Sequence, residues 1–346
     1  MEFGVTLKAV IIMKAVILAG GNSNKIRPYW ASIPKSMLPV FDRPAIEHLV
    51  RRLSRCGITE LLIALSKDTP ELAEFLGDGS QYGVSIIYFT EHEPLGTAGA
   101  VRAFHDMLDT TFLVIPGDCA TDIDFAQVLE SHLENKCIAT IVTTSVTDKT
   151  EFGAIELDSD NRITKFIEKP LDSDKFSTDT VSTGIYVFEP EIFGLIPPFQ
   201  NSDFAMDIFP RLLNNMEIVR GYQANGYWRD LGLMLGYRDT HQDALLGLYK
   251  LNIPADEIAP GVFIGKDVQI GDTARITEPV YIGNNAYISS GASIQGRSII
   301  GAESIISEGS AVVNSIVGMK SLVGQNSRVS GCILMSSESI ENESQL

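Results

Sequence analysis

The first part of the chain alternates short apolar runs with amphipathic stretches. Lys14–Ala19 is a continuous apolar run that predicts a strand buried on both faces, and Leu61–Leu65, Val84–Phe89 and Thr111–Ile115 predict three further strands. The stretches between them predict helices, from Pro44 to Gly57, from a capping-box spacing at Asp68–Glu71 to Gly77, and over Thr97–Leu108. This strand–helix order predicts a doubly wound, mainly parallel sheet.

The middle of the chain has a less regular pattern. Four segments predict strands, at Ile138–Val146, Ala154–Leu157, Ile163–Ile167 and Ile185–Phe188. Two further segments predict helices, near Phe204–Asn214 and Gly236–Tyr249. This half is therefore expected to be a mixture of strands and helices without strict alternation.

From Ile258 the hydrophobic period becomes six residues. The register positions are Ile258, Ile264, Ile270, Ile276, Ile282, Ile288, Ile294, Ile300, Ile306 and Val312, and after a one-residue slip Val317, Val323 and Val329. A small or aliphatic residue lies four positions after each of the first nine register residues. Hexapeptide repeats are typical of parallel β-helices, here with roughly four coils between Ile258 and Leu334.

These patterns divide the chain. "LKAVII" is followed directly by "MKAVIL", so Met13 is a second possible start and residues 1–12 are interpreted as an extension. Residues 13–250 form the predicted α/β domain, with a Rossmann-like doubly wound sheet, and residues 251–335 a left-handed parallel β-helix. The boundary lies at Leu251–Pro260, and the Ser/Glu-rich tail 336–346 is expected to be disordered.

Composition narrows the classes of function. The net charge of −17 argues against a nucleic-acid partner, which needs a broad basic face. No apolar run reaches the ~18 residues that span a bilayer, so no membrane partner is expected. Cys56, Cys119, Cys137 and Cys332 lack C-x-x-C spacing, so we expect reduced thiols in a cytoplasmic protein rather than disulfides or a zinc site.

Two loops follow predicted parallel strands. Gly20 and Gly21 follow the first strand, and Asp118 in "PGD" follows the fourth. Ligands of such sheets bind beyond the carboxyl ends of the strands, so these loops can face one another across a crevice. A glycine turn of this kind can cradle phosphate.

The order of the motifs resembles one enzyme family. After Gly20-Gly21 come "PKSMLPV", "EPLGTAGAV", "GDCATDIDF", "FGAIELDSDNRITKFIEKP", "STGIYVFEP" and "GYWRDLG", and then the hexapeptide repeat. From residue 14 to about 334 this resembles the sugar-nucleotide pyrophosphorylases, or sugar-1-phosphate nucleotidylyltransferases. The resemblance implies the reaction of an NTP with a sugar 1-phosphate, giving an NDP-sugar and pyrophosphate with Mg²⁺ as cofactor.

The resemblance also implies roles for individual residues. The catalytic group is Lys25, Lys35, Asp118 and Asp230, and the two aspartates would bind the metal. The nucleotide would be bound by Leu18, Ala19, Gly20, Gly21, Ser23, Asn24, Arg27, Glu93, Gly96 and Thr97. The sugar phosphate would be bound by Gly153, Glu168, Lys169, Ser182, Thr183 and Trp228. Glu168 and Lys169 are adjacent in a strand and are therefore expected to point in different directions.

Each of these residues also has a structural alternative. Asp118 could be a turn residue, Asp230 a helix cap and Trp228 a core residue. Lys35 could be a solvated loop lysine, and Glu168 with Lys169 an exposed strand end. Thr97 opens its predicted helix and could act as an ordinary N-cap there, alone or in addition to binding the nucleotide.

The glycine loop departs from the family pattern. Ser23, Asn24 and Lys25 stand where the family has glycine, threonine and arginine. Lysine lacks the forked donors of arginine, and the loss of one such contact could cost ~10²–10³ in rate. Two hypotheses follow, an active nucleotidylyltransferase and a weakly active or non-catalytic regulatory paralogue. An acyltransferase working through the repeat is disfavoured, because no histidine lies there.

The substrates are not determined by the motifs. "EPLGTAGAV" and "GYWRDLG" with a short β-helix most resemble the mannose-1-phosphate guanylyltransferases within the family. We therefore expect GTP and mannose 1-phosphate, with glucose-1-phosphate thymidylyl or uridylyl transfer as the alternative. A homo-oligomer formed through the β-helix is also expected.

Overall fold

The computed structural model describes residues 13–20, 33–170 and 178–346. These residues fall into two compact units. The first, which we call the sheet unit, contains residues 13–20, 49–117, 123–170 and 178–225. The second, the β-helix unit, contains residues 33–48, 118–122 and 226–346, so it includes more of the chain than the predicted repeat.

Strands and helices alternate along the chain before residue 250. In chain order they are β1 (Lys14–Leu18), β2 (Pro39–Val40), β3 (Arg43–Pro44), α1 (Ala45–Arg55), β4 (Glu60–Ser66), α2 (Pro70–Leu76), β5 (Ser85–Glu91), α3 (Gly96–Arg102), β6 (Phe112–Pro116), β7 (Cys119–Thr121), α4 (Phe125–Asn135), β8 (Ala139–Ser145), β9 (Gly153–Leu157), β10 (Ile163–Glu168), β11 (Thr180–Phe188), α5 (Phe209–Asn214), β12 (Val219–Gln223), β13 (Trp228–Asp230) and α6 (Met234–Leu245).

The sheet unit contains one sheet with the order β10-β9-β11-β6-β1-β4-β5, in which β8 pairs with β11 and β12. Strands β6, β1, β4 and β5 are parallel. Strand β11 runs antiparallel to both β6 and β8. The predicted α/β, Rossmann-like architecture is confirmed, and the apolar runs at β1, β4 and β6 are buried because helices cover parallel sheets.

Three helix predictions need correction. Asp68 does not cap α2, because Thr69 holds that position and makes no side-chain cap hydrogen bond. Helix α3 ends at Arg102, and His105–Met107 form a separate 3-10 turn. The segment expected to be one helix from Phe204 begins as a π turn over Phe204–Ile208 before α5.

The β-helix unit carries the repeat. Its strands are β14 (Asp256–Ala259), β15 (Val262–Ile264), β16 (Gln269–Ile270), β17 (Arg275–Ile276), β18 (Val280–Ile282), β19 (Tyr287–Ile288), β20 (Ser293–Gln295), β21 (Ser298–Ile300), β22 (Ile305–Ile306), β23 (Ala311–Val313), β24 (Ile316–Val317), β25 (Leu322–Val323), β26 (Arg328–Ser330), β27 (Ile333–Leu334) and β28 (Ser339–Ile340). They form three parallel sheets, β15-β18-β21-β24-β27, β16-β19-β22-β25-β28 and β17-β20-β23-β26, with β14 added antiparallel to the first. This is a parallel β-helix, consistent with the left-handed form.

The predicted register is confirmed in the middle coils, but the register positions Ile258 and Ile270 are exposed. The side chains from Ile282 to Val329 in that register are fully buried in one cluster. Ile258 is instead 65% exposed, because it lies in the antiparallel strand β14 before the first coil begins.

The prediction that residues 336–346 are disordered is wrong, because these residues pair with the preceding coil. Strand β28 pairs in parallel with β25, and the Leu346 N–H donates to the Arg328 carbonyl at 2.9 Å. The polar composition suits this segment because only one side chain per strand needs to face the core of the last coil.

No described helix is long and apolar enough to cross a bilayer.

Candidate active site

Three of the four predicted catalytic residues come together in the β-helix unit. Strands β7 and β13 pair so that Cys119 lies opposite Asp230, and the Leu231 N–H donates to the Asp118 carbonyl at 3.1 Å. Lys35 begins a 3-10 turn, and its Nζ lies 3.4 Å from Asp118 Oδ2. The side chains of Lys35 and Asp118 are 24% and 22% exposed, so this ion pair is accessible to a ligand.

Gly232 maintains the space between these charges. Its N–H donates to Asp230 Oδ1 at 2.7 Å, which fixes the orientation of the carboxylate. A Cβ at this position would collide with the Lys35 ammonium and the Asp230 carboxylate. Gly232 is therefore part of the candidate site and was not predicted from the sequence, although it is the glycine that ends "GYWRDLG".

The cluster fits a magnesium ion that is shared with phosphate. Mg²⁺ in proteins is commonly held by one or two carboxylates together with substrate phosphates and water. Asp118 and Asp230 supply two carboxylates, and the described residues contain no group of three or more His, Cys, Asp or Glu that could hold a metal. Cys119 is buried, and its pKa is raised by that burial and by the two aspartates, which favours its thiol form.

Another predicted group lies at the carboxyl ends of β1, β4 and β5 in the sheet unit. The Leu18 carbonyl accepts a hydrogen bond from Gly117, and the Ala19 N–H donates to Ala64. A Cβ on Gly20 would lie 3.0 Å from Glu91 Oε1 and 3.2 Å from the Ser66 nitrogen. Gly20 therefore lies at a crowded strand end, where a side chain would require its neighbours to shift by a few tenths of an ångström.

Glu91 is a second position that the sequence did not reveal. Burial raises the pKa of its carboxyl group, and the Leu95 N–H donates to it at 3.1 Å. Glu93, which was predicted to contact the nucleotide, is exposed in the loop that follows. The apolar run ends at Phe89, so the sequence did not show that the strand continues to Glu91.

Gly96 and Thr97 fix the start of α3. Gly96 has a φ of 70°, and a Cβ there would lie 2.5 Å from the Ser202 carbonyl oxygen. The Thr97 hydroxyl donates to Asp203 at 2.9 Å and accepts from the Phe204 N–H at 2.9 Å. Thr97 is therefore not the N-cap, since α3 begins at Gly96, and its hydroxyl links two distant segments.

The end of β10 places two opposite charges side by side. Gly153 pairs with Glu168, and a Cβ on Gly153 would lie 2.9 Å from the Glu168 carboxylate. Lys169 Nζ lies 3.3 Å from Glu168 Oε1. The expectation that these side chains diverge is wrong, because Lys169 has a φ of 45° and so leaves the alternation of the strand.

Three predicted sugar-binding side chains are buried. The Thr183 hydroxyl donates to the Val142 carbonyl and accepts from the Ile185 N–H, and Ser182 Oγ accepts from the Gly184 N–H. These bonds lie where the register between β11 and β8 shifts. Trp228 is 7% exposed in β13, which agrees with the alternative of core packing and leaves little ring surface for a ligand.

The altered glycine loop lies outside the described residues. This applies to Gly21, Ser23, Asn24, Lys25 and Arg27. The roles assigned to these residues stay predictions.

Comparison with known proteins identifies both parts of the chain. Residues 14–246 match the nucleotidyl transferase family model, and residues 258–346 match the model of the GMPPB C-terminal domain. A UTP–glucose-1-phosphate uridylyltransferase of Synechocystis is 33% identical over 271 residues, covering 74% of this chain and 70% of that protein. A mannose-1-phosphate guanylyltransferase of Mycobacterium tuberculosis is 34% identical over 220 residues, covering 63% of this chain and 60% of that protein.

A solved structure agrees with this similarity. A Bacillus anthracis protein described as a glucose-1-phosphate thymidylyltransferase superposes with a TM-score of 0.60 and 26% identity, covering 66% of this chain and 93% of that one. The nucleotidyl transferase family model alone extends over more than half of the chain. The chain therefore belongs to the nucleotidyl transferase family, whose matched relatives are sugar-1-phosphate nucleotidyltransferases.

Proposed function

We propose that this enzyme joins an NTP to a hexose 1-phosphate and releases pyrophosphate. The observation that carries the proposal is the cluster of Lys35, Asp118 and Asp230. A phosphate oxygen of the sugar 1-phosphate attacks the α-phosphorus and forms a new P–O bond. The bond between the α-phosphorus and the bridging oxygen breaks, and its electron pair leaves with pyrophosphate.

The residues of the cluster act by charge and position. Phosphoryl-type transfers depend mainly on in-line positioning and on neutralising the developing negative charge. Asp118 and Asp230 would hold Mg²⁺, which when bound supplies positive charge to the phosphate oxygens. Lys35 adds a mobile ammonium, which Asp118 keeps close to the carboxylates at 3.4 Å.

We assign the Glu168–Lys169 pair to the sugar phosphate. A carboxylate accepts hydrogen bonds from sugar hydroxyls, and an ammonium binds phosphate as a point charge. Gly153 leaves the room that the Glu168 carboxylate occupies. The ion pair of Glu168 and Lys169 presents both functions within 3.3 Å of one another.

For the substrates we propose GTP and mannose 1-phosphate. The support is the match of residues 258–346 to the GMPPB C-terminal domain, together with the relative named for mannose-1-phosphate guanylyl transfer. Glucose 1-phosphate with UTP or dTTP is the second candidate. It is favoured by the Synechocystis relative, whose match covers more of this chain.

The direct test is pyrophosphate release with Mg²⁺ from each common NTP combined with each common hexose 1-phosphate. GTP with mannose 1-phosphate should give the highest kcat/KM. Turnover with another pair would keep the reaction and replace the substrates. Nucleotide binding without turnover by any pair would overturn the enzymatic role in favour of a regulatory paralogue, and a Lys25→Arg variant would then locate the defect in the altered loop.

We also propose a cytoplasmic homo-oligomer whose contact is formed by the β-helix. Its support is a row of apolar side chains in register on one outer face, Tyr287, Ile305 and Leu322. Their exposed fractions are 46%, 43% and 38%, which is high for neighbouring apolar side chains on a regular surface.

A further inference from the structure

The Lys35 segment runs directly into a tight hairpin. Strands β2 and β3 pair through a two-residue turn, Phe41–Asp42, with φ angles of 48° and 65°. Turns with two positive φ angles favour Asn and Gly, and an aromatic residue in this conformation is strained. The surrounding structure must therefore hold this turn in place.

Helix α6 holds one side of the hairpin. The Tyr237 hydroxyl donates to the Pro39 carbonyl at 2.7 Å. His241 accepts from the Phe41 N–H through Nε2 at 3.3 Å, while its Nδ1 donates to the Tyr237 carbonyl at 3.0 Å. These bonds require the neutral imidazole, and burial lowers the pKa of His241 to about 4.

The β-helix holds the other side. Asp42 accepts from the Tyr281 hydroxyl at 2.8 Å and from the Ala302 N–H at 3.0 Å. The Phe41 and Tyr281 rings meet edge to face with centroids 4.9 Å apart. Gly283 leaves room for the Asp42 carboxylate, since a Cβ there would collide with it. Two successive coils are thus shaped around this turn.

The hydrophobic packing around the hairpin includes residues close in sequence to all three candidate catalytic residues. One hydrophobic cluster contains Leu38, Ala120 and Leu231, which follow Lys35, Asp118 and Asp230 by three, two and one residues. The cluster also contains Phe41 and Tyr281, and further outward side chains of the β-helix at Ile299 and Ile316. The β-helix face and the catalytic cluster therefore share one packed core.

We propose that Asp42, held by Tyr281 and the Ala302 amide, is a positioning residue that sets the place of Lys35. The β-helix would then be a structural part of the catalytic apparatus as well as a candidate site of assembly. A shift of the turn would be transmitted through β2 and the 3-10 turn to Lys35, because the short stretch from Lys35 to Asp42 contains no flexible spacer. This inference rests on the proposed function only for the role of Lys35 in turnover.

The test uses full-length Asp42→Asn and Tyr281→Phe variants. Asp42→Asn removes the charge and one acceptor, and Tyr281→Phe removes only the hydroxyl. Because small displacements of positioned groups can cost up to about a hundredfold, we expect kcat to fall by about tenfold to a hundredfold with KM nearly unchanged. If Asp42→Asn does not fold, Tyr281→Phe carries the test.

A second readout does not depend on activity. Brief acylation followed by mass spectrometry measures the reactivity of the Lys35 amine, which should rise several-fold in both variants as its contact with Asp118 loosens. Tyr88→Phe is the matched control, since it removes a tyrosine hydroxyl that donates to the Gly77 carbonyl in the sheet unit. Val312→Ala is the stability control, because it creates a cavity in the repeat core, away from the hairpin.

The outcomes separate the two proposals. Unchanged Lys35 reactivity in both Asp42→Asn and Tyr281→Phe overturns the inference, even if kcat falls. The same change in Val312→Ala also overturns it, since general loosening would then be the cause. If the wild type has no turnover, the proposed function fails while the labelling of Lys35 still decides the inference.

Discussion

Gly153 and Gly232 each reserve the space in which a charged side chain lies. Neither has a positive φ angle, so the reason for glycine is room rather than backbone conformation. At Gly232 the occupants are Lys35 and Asp230, and at Gly153 they are Phe166 and Glu168. A single methyl group at either position should therefore change the chemistry more than the fold.

Gly153→Ala should weaken binding of the sugar phosphate. The new Cβ would lie 2.6 Å from Phe166 and 2.9 Å from the Glu168 carboxylate, so Glu168 must move. Since such overpacking costs about 1–3 kcal/mol, we expect KM for the hexose 1-phosphate to rise by about tenfold or more. Gly194→Ala is the matched control, because nothing lies within 4 Å of its Cβ position. Equal KM values for the two variants would contradict the assignment of Glu168.

Lys35→Ala should lower kcat by about 10²–10³, the usual effect of removing one group that stabilises transition-state charge. Steady-state pyrophosphate release measures it, with Lys266→Ala as the control because that lysine lies on the exposed first coil. Circular dichroism should show the same fold in both variants. A fall of less than threefold would argue that Lys35 is an ordinary loop lysine.

His241 should make folding sensitive to mild acid. Burial, and to a smaller extent the nearby His48, lower its pKa from 6.5 to about 4 in the folded chain. The unfolded chain therefore binds a proton that the folded chain does not, and the free energy of unfolding falls as the pH drops below 6.5. With about 1.4 kcal/mol per pH unit, the loss is about 2 kcal/mol between pH 6.5 and roughly pH 5.

Denaturant unfolding at several pH values measures this slope. His241→Gln should flatten it, and His105→Gln, which replaces an exposed histidine, is the control. Burial also lowers the pKa of His132, and its contribution to the pH dependence is the same in wild type and in both variants. The same slope in His241→Gln and wild type would show that His241 is not the residue responsible.

At the scale of elements, the sequence predicts best what depends on neighbouring residues. The buried strands β1, β4 and β6 were visible as apolar runs, and the coils as a period of six. The left-handed backbone of Lys169 and the link from Thr97 to Asp203 were not visible, because they depend on residues that are close only after folding. The same holds for the packing of Phe41 between α6 and the β-helix.

Deleting residues 336–346 should destabilise the repeat. Backbone N–H groups of Leu322, Gly324, Arg328 and Ser330 donate to carbonyls in this segment and would lose their acceptors. At about 0.5–1.5 kcal/mol for each of the four hydrogen bonds, we expect a loss of about 2–6 kcal/mol. The open edge should also promote aggregation.

Calorimetry and size-exclusion chromatography measure the two effects of this deletion. The control is the double variant Glu341→Gln, Glu343→Gln, which changes charge and keeps the backbone pairing. An unchanged melting temperature in the truncated chain would mean that the last coil contributes nothing to stability, contrary to its hydrogen bonds.

At the scale of the whole molecule, the three faces of the β-helix differ in chemistry. One face carries Phe263, Tyr281, Ile299, Ile316 and Ile333, which pack in or against the cluster shared with the candidate active site. The second carries the exposed row of Tyr287, Ile305 and Leu322. The third carries Arg275, Ser293, Ala311 and Arg328 in register. The first face is already covered and the third is polar, so among these described faces the second offers the apolar surface that a partner could bury.

Ile305→Lys should convert the proposed oligomer to monomers. Ile305 is the middle residue of the row, and a lysine there would place a charge at the centre of an apolar contact, where charged residues are depleted. Ala311→Lys is the matched control, because it adds the same charge on the polar face. Light scattering coupled to chromatography should give an oligomer for wild type and Ala311→Lys, and a monomer for Ile305→Lys. Because the chain has a net charge of −17, higher salt should strengthen the association by screening repulsion. A monomeric wild type, or equal dissociation of both variants, would show that this face is not an oligomer contact. The proposed role of the β-helix in positioning Lys35 would not be affected.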